Sequence, residues 1–174
     1  MNTTTHPTSN VDSFGLKPRL HRPFSRLVMW VAICFGAAAI GAFFPPDEWF
    51  QTLQKPALQP PNWLFGPVWT VLYALMGTSM WLVSTNLRSP RRLREKARHA
   101  FIAQLVLNSL WTPVFFGAHA ITLALVLLIV IIAAVTLTAK RFYDVDPRAA
   151  WMLIPYIAWL CIATALNASI VWLN

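Results

Sequence analysis

The stretch Leu27-Val-Met-Trp-Val-Ala-Ile-Cys-Phe-Gly-Ala-Ala-Ala-Ile-Gly-Ala-Phe-Phe44 runs eighteen residues without a charged side chain. As an α-helix it is about 27 Å long, just enough to cross the ~30 Å hydrocarbon core of a bilayer. Its Ala37-Ala38-Ala39 loosely resembles a signal-peptidase site, but the apolar run continues to Phe44 and the region before it is long, so a retained span is expected. Further charge-free stretches follow at Phe65–Leu87, Ala100–Gly117, Ile121–Ala139 and Ala149–Asn174. The fold expected is an all-α integral membrane protein, a bundle of five transmembrane helices at about 27–44, 65–87, 100–117, 121–139 and 149–173. Residues 1–26 form a polar, basic N-terminal tail, and the membrane domain takes up 27–174.

Composition agrees. Of the 174 residues, 57% are hydrophobic and only 11% charged, against roughly a quarter charged in an average soluble protein. So little charge cannot coat a water-soluble surface, and six Asp plus Glu leave little carboxylate machinery for a soluble enzyme. The net charge of +8 is not read as a nucleic-acid surface, because of where the charge sits. Lys17, Arg19, Arg22 and Arg26 precede the first span, and Arg88, Arg91, Arg92, Arg94, Lys96 and Arg98 precede the third. Basic clusters against apolar runs read as topology determinants and lipid-headgroup contacts. The loop Pro45–Leu64, by contrast, sets Lys55 against Asp47 and Glu48. This bias places the N-terminus in the cytoplasm and the C-terminus outside.

No Asp, Glu, Lys or Arg lies within the five runs, which argues against an ion-motive mechanism. No GxGxxG, P-loop, HExxH or CxxC occurs. His6, His21, His99 and His119 are too dispersed for a metal site, and Cys34 and Cys161 read as packing residues. No metal and no required cofactor are expected.

The chemistry that remains is aromatic and amide. Gln104, Asn108, Trp111 and Phe115 recur at helical spacing on one face of the third span. Tyr156, Trp159, Ala163, Leu166 and Asn167 do so on the fifth, and Trp69, Tyr73 and Met76 on the second. At about 1.5 Å per residue, Trp69 lies roughly 6 Å from the outer helix end, Trp111 about 9 Å and Asn167 about 10 Å. Asn108 lies near 13 Å and Trp159 deeper still, on the same ~1.5 Å rise. These groups would line a cavity in the outer half, lidded by loop 45–64 and suited to a planar, mostly apolar ligand. The plainer alternative stands beside it: Trp and Tyr collect at membrane interfaces, and Asn and Gln bond across helices as glue.

Several motifs occur in order: Leu53-Gln-Lys-Pro56, Pro60-Pro-Asn-Trp63, Gly66-Pro-Val-Trp69-Thr-Val-Leu-Tyr73, Gln104-Leu-Val-Leu-Asn108-Ser-Leu-Trp111, Phe115-Phe-Gly117, Pro155-Tyr-Ile-Ala-Trp159 and Ala163-Thr-Ala-Leu-Asn167. Together they closely resemble the translocator protein family, TspO/MBR, also called tryptophan-rich sensory proteins or peripheral benzodiazepine receptors, in a bacterial form. The resemblance covers the chain from Leu27 onward. It implies a five-helix bundle that binds porphyrins such as protoporphyrin IX, with ligand under the first loop against Trp69, Asn108, Trp111, Trp159, Ala163, Leu166 and Asn167.

It also implies a receptor or transport role in tetrapyrrole metabolism or stress. The alternative it carries is a light-dependent porphyrin-degrading enzyme using Trp69 or Trp159 as a redox participant; otherwise no catalytic residue is expected. A docking role for the basic Arg88–Arg98 segment is a third reading. The partners expected are porphyrin or another hydrophobic small molecule, membrane lipids, and a second copy of the chain as a family habit, with Ala37-x-x-x-Gly41 as a small-residue contact. The cholesterol motif of the animal members is missing, since Ala168 and Trp172 stand in its Tyr and Arg places, so sterol is not an expected ligand. Leu123 replaces an aromatic wall residue, and His99 and Ala103 replace a paired-glycine motif. The charge bias suits a cytoplasmic-membrane insertion route, while some bacterial relatives are assigned to the outer membrane; the sequence leaves both open.

Overall fold

The computed structural model describes residues 23–57 and 59–174. The expected tail lies outside the described residues as far as residue 22, with Lys17, Arg19, Arg22, His6 and His21 in it. The regular structure of the described residues is all helical: α1 Phe24–Ala39, continued by a 3-10 turn Ile40–Phe43; α2 Glu48–Thr52; α3 Asn62–Thr85; α4 Arg91–Thr112, continued by a π-helical turn Pro113–Gly117; α5 Ile121–Tyr143; α6 Pro147–Trp151; and α7 Ile154–Leu173. Five helical segments are long and apolar enough to cross a membrane, namely Phe24–Phe43, Asn62–Thr85, Arg91–Gly117, Ile121–Tyr143 and Pro147–Leu173. Their outward faces carry Val106, Leu123, Ile129 and Leu137, which a bilayer would cover.

The helices outrun the charge-free stretches. The basic run is no loop: from Arg91 it forms the first two turns of α4, nine residues before the expected start at Ala100. Arg, Lys, Glu and Ala are strong helix formers, and Arg91 bonds Glu95 one turn on at 2.8 Å. Charge ends the membrane crossing here, not the helix. In the same way α5 runs past Ala139 through Lys140 and Arg141 to Tyr143. The last span is split, because Pro155 has no N–H to carry a helix through; α6 stops at Trp151 and α7 restarts at Ile154.

The bundle is assembled mainly by α4 against α5, α1 against α3 and α5 against α7. The α1–α3 crossing is close enough to require glycine: a Cβ at Gly77 would stand 2.6 Å from Val31 Cα. The core there is dry and aliphatic-aromatic, with Cys34, Met76, Val83, Phe101, Ile131, Val135 and Phe142 fully buried. Trp30 meets Phe101 edge-on at 6.0 Å and donates its indole N–H to Ser84 Oγ at 3.2 Å.

Candidate functional site: an aromatic cavity under the first loop

At the end of the bundle that carries residues 45–61, α3, α4 and α7 splay and leave a cavity of about 320 Å3. It lies at the lower end of the ~300–1,000 Å3 range of ligand pockets. Phe65 and Trp69 come from α3, Trp111 and Thr112 from α4, and Ala163, Leu166, Asn167 and Ile170 from successive turns of α7. Phe115 and Phe116 both face it, although neighbours in an ideal α-helix point about 100° apart. Both lie in the π turn. Pro113 offers no N–H to continue the α-helical ladder, and Ala118 N–H closes the wider ring onto Pro113 O at 2.9 Å.

The walls are stacked aromatics. Trp111 lies parallel to Phe115 at 5.0 Å and 19°, and Phe115 meets Phe116 edge-on at 4.8 Å. The loop supplies the roof, with Pro46, Phe50 and Gln59 lining the cavity and Phe50 set 5.2 Å from Phe116. Lys55 Nζ rests 4.5 Å from the centroid of the Phe50 ring, so one cation sits on the roof.

That roof is fastened at two points. Asp47 caps α2, accepting from Phe50 N–H at 3.1 Å through one oxygen and lying 3.0 Å from His119 Nε2 through the other. The Phe50 N–H is the main reason the Asp47 carboxyl is held below its ordinary pKa, with His119 adding to it. His119 occupies the left-handed region, φ 53°, and its ring stacks on Trp49 at 4.0 Å. At the other point Asn174 forms a reciprocal pair with Gln54, accepting from its N–H at 3.0 Å and donating to its carbonyl at 3.1 Å.

Of the residues singled out from sequence, Trp69, Trp111, Phe115, Ala163, Leu166 and Asn167 line the cavity. Gln104, Asn108 and Trp159 do not. They share the right helix faces but sit deeper, where the helices have already closed. Asn108 donates to Tyr73 OH at 2.9 Å, and Tyr73 stacks on Trp69 at 5.4 Å. Gln104 lies against Met76 Sδ at 4.0 Å, and Trp159 meets Phe65 edge-on at 5.6 Å. Asn108, through Tyr73, and Trp159 therefore support the wall from behind, while Gln104 packs into the core below it. Phe65, one turn before Trp69, was open to discovery by spacing. Phe50, Gln59 and Phe116 were not, because the loop path and the π turn decide where they point.

The polar groups in this apolar chamber are the informative ones. Asn167 is 2% exposed, and neither its amide oxygen nor its nitrogen has a hydrogen-bond partner. Trp111 Nε1 and Gln59 Oε1 are likewise buried and unpartnered. Leaving a buried polar group unmet costs about 1–3 kcal/mol, so such atoms gathered at a cavity point to a partner carrying both donors and acceptors.

Comparison with known proteins agrees with this architecture. The chain matches the TspO/MBR family over residues 30–173. It is 37% identical over 146 residues to protein CrtK of Rhodobacter capsulatus, covering 84% of this chain and 91% of that one. It is 35% identical to the tryptophan-rich sensory protein of Cereibacter sphaeroides, over 89% of this chain and 95% of the relative. It is 41% identical to the human translocator protein, over 74% and 78%. With the family matched over most of its length and five apolar helices long enough to span a bilayer, the chain is a multi-pass integral membrane protein of the TspO/MBR family.

Proposed function

We propose that this protein is a membrane receptor or transport-type protein that binds porphyrins, such as protoporphyrin IX, and related planar hydrophobic molecules in the cavity under the first loop. Its role is sensory or regulatory, in tetrapyrrole metabolism or stress, in keeping with the name of the Cereibacter sphaeroides relative, a tryptophan-rich sensory protein. The N-terminus faces the cytoplasm, so the cavity opens on the opposite side of the membrane. One observation carries the reading: a chamber walled by aromatic rings is lined by Asn167 and Trp111, whose buried amide and indole N–H have no protein partner.

A porphyrin combines the features such a chamber selects, a flat π-surface to stack on Trp69, Trp111 and Phe115 and a few polar edges. The propionate carboxylates on its rim accept from the Asn167 amide N–H, from Trp111 Nε1 and from the Lys55 ammonium. A four-pyrrole macrocycle is bulkier than the resting cavity. The reading therefore requires the roof to swing away, and its two small fastenings make it the part best able to move.

The test is quenching of tryptophan fluorescence by protoporphyrin IX in detergent-purified protein, beside Trp111→Phe and Asn167→Leu variants of unchanged helicity. Loss of one hydrogen bond of about 0.5–1.5 kcal/mol should weaken saturable binding roughly 2- to 10-fold in each. Identical quenching in all three proteins would mean that porphyrin partitions into the micelle, and the reading would fall.

A second reading, light-driven breakdown of the bound porphyrin, draws on the stacking of Trp69 over Tyr73, which offers a short aromatic path away from the cavity. It expects illuminated porphyrin absorbance to decay with wild-type protein and not with Trp69→Phe. Equal decay in both would remove it.

A further inference from the structure

A second cavity, of about 330 Å3, lies at the opposite end of the bundle between α1, α3 and α4. Arg91, Arg94, Glu95 and Arg98 line it from α4, at the i, i+3, i+4 and i+7 spacing that puts four side chains on one face. Arg26 closes it from α1, and its floor is apolar, made of Met29, Trp30 and Met80. Four guanidinium groups thus face one carboxylate, and that carboxylate is committed to Arg91 at 2.8 Å.

Arg94 is the half-buried member. One terminal nitrogen reaches the Ser84 carbonyl at 3.4 Å, while its Nε is shut away from solvent without a hydrogen-bond partner. An arginine with an unmet donor, lining a cavity whose guanidinium groups outnumber its carboxylate four to one, signals a missing anion. The depth of the site says which kind. Arg26 and Arg98 are the last charges before the apolar runs of α1 and α4 begin, so the cavity sits at headgroup level with an apolar floor beneath.

We propose that this cavity is a binding site for the phosphate of an anionic phospholipid. The planar, multidentate guanidinium is the side chain best shaped for phosphate oxygens. The cavity accepts the phosphodiester between Arg94, Arg98 and Arg26, and the glycerol and first methylenes lie on Met29, Trp30 and Met80. The excess positive charge selects an anionic headgroup over a zwitterionic one, whose own cation it repels. Arg92 and Lys96, on other faces of α4, remain general surface charges.

The experiment is native mass spectrometry of the full chain, delipidated in detergent and offered phosphatidylglycerol, phosphatidylcholine or inorganic phosphate. Wild type and Arg92→Gln should each retain one phosphatidylglycerol per chain. Arg94→Gln and Arg98→Gln should lose about tenfold or more in retention, the worth of a hydrogen bond to a charged group. Circular dichroism checks folding, and if Arg94→Gln unfolds, Arg98→Gln decides on its own. Equal retention by Arg98→Gln and wild type would overturn the proposal, as would equal retention of phosphatidylcholine. Stable adducts of inorganic phosphate alone would replace the lipid by a free anion and overturn it too. Porphyrin quenching should be unaffected by Arg98→Gln, since the two cavities lie at opposite ends.

Discussion

The polar residues in the core fall into two regions with opposite habits. In the half of the bundle nearer the basic end, the Tyr156 hydroxyl is unpartnered, but three buried hydroxyls bond back to their own helix: Ser79 to the Met76 carbonyl at 2.7 Å, Thr85 to Trp81 at 2.7 Å, Thr138 to Ala134 at 2.8 Å. Such residues ask nothing of a neighbouring helix, and the packing around them is so close that α1 and α3 meet through a glycine. In the half under the loop the buried polar groups cannot bond backwards. Asn167 and Trp111 line the cavity, and neither the amide of one nor the indole N–H of the other has a protein partner. The first region is the more nearly finished by folding; the second leaves an amide and an indole unmet by the protein's own groups.

Breaking the finished region should have the largest effect. Gly77→Ala drives a methyl to within 2.6 Å of Val31 backbone, and overpacking of this kind costs about 1–3 kcal/mol. The thermal midpoint in detergent should fall sharply. Gly36→Ala is the matched control, because nothing lies within 4 Å of its Cβ, and helix propensity alone should give a gain of up to about 1 kcal/mol. If both variants melt alike, the close crossing is not what holds α1 to α3.

The second prediction sharpens the contrast in polar groups. Ser79→Ala removes a satisfied bond and should cost about 1 kcal/mol. Asn167→Leu removes an unsatisfied amide and should instead raise stability, by up to roughly the 1–3 kcal/mol that an unmet group costs. Opposite signs in the two melting curves are expected.

Much of this was readable from the chain. Five charge-free runs locate the crossings, since a bilayer leaves backbone no choice but helix. Where the helices end was less readable, because Arg91–Arg98 satisfies helix propensity as well as it marks a membrane boundary. Spacing found Trp69, Trp111, Phe115, Ala163, Leu166 and Asn167 among the cavity residues, as helical faces are periodic. It gave no reliable depth: Asn108 and Gln104 share a face with Trp111 but lie where the helices have converged, and they bond Tyr73 and touch Met76 instead. The roof residues had no period to betray them, as Phe50 is placed by a five-residue helix capped by Asp47 and latched by His119.

The latch yields the smallest effect. The depressed pKa of Asp47 means that its contribution is complete above the ordinary carboxylate pKa and lost as pH falls through the lowered value. At neutral pH, Asp47→Asn should imitate that loss. Hydrogen exchange over residues 48–54 should quicken while the amides around Ile131 stay protected. Faster exchange in both places would mean that Asp47 supports the bundle as a whole rather than the roof.

The most direct test of the account is to measure the thermal midpoint and the protoporphyrin IX affinity of Asn167→Leu side by side with wild type. An unfinished cavity predicts divergence, a higher midpoint without ligand and binding weakened roughly 2- to 10-fold. A midpoint that falls while affinity holds would show that Asn167 serves the packing of α7, and that the loop-end cavity owes nothing to a ligand.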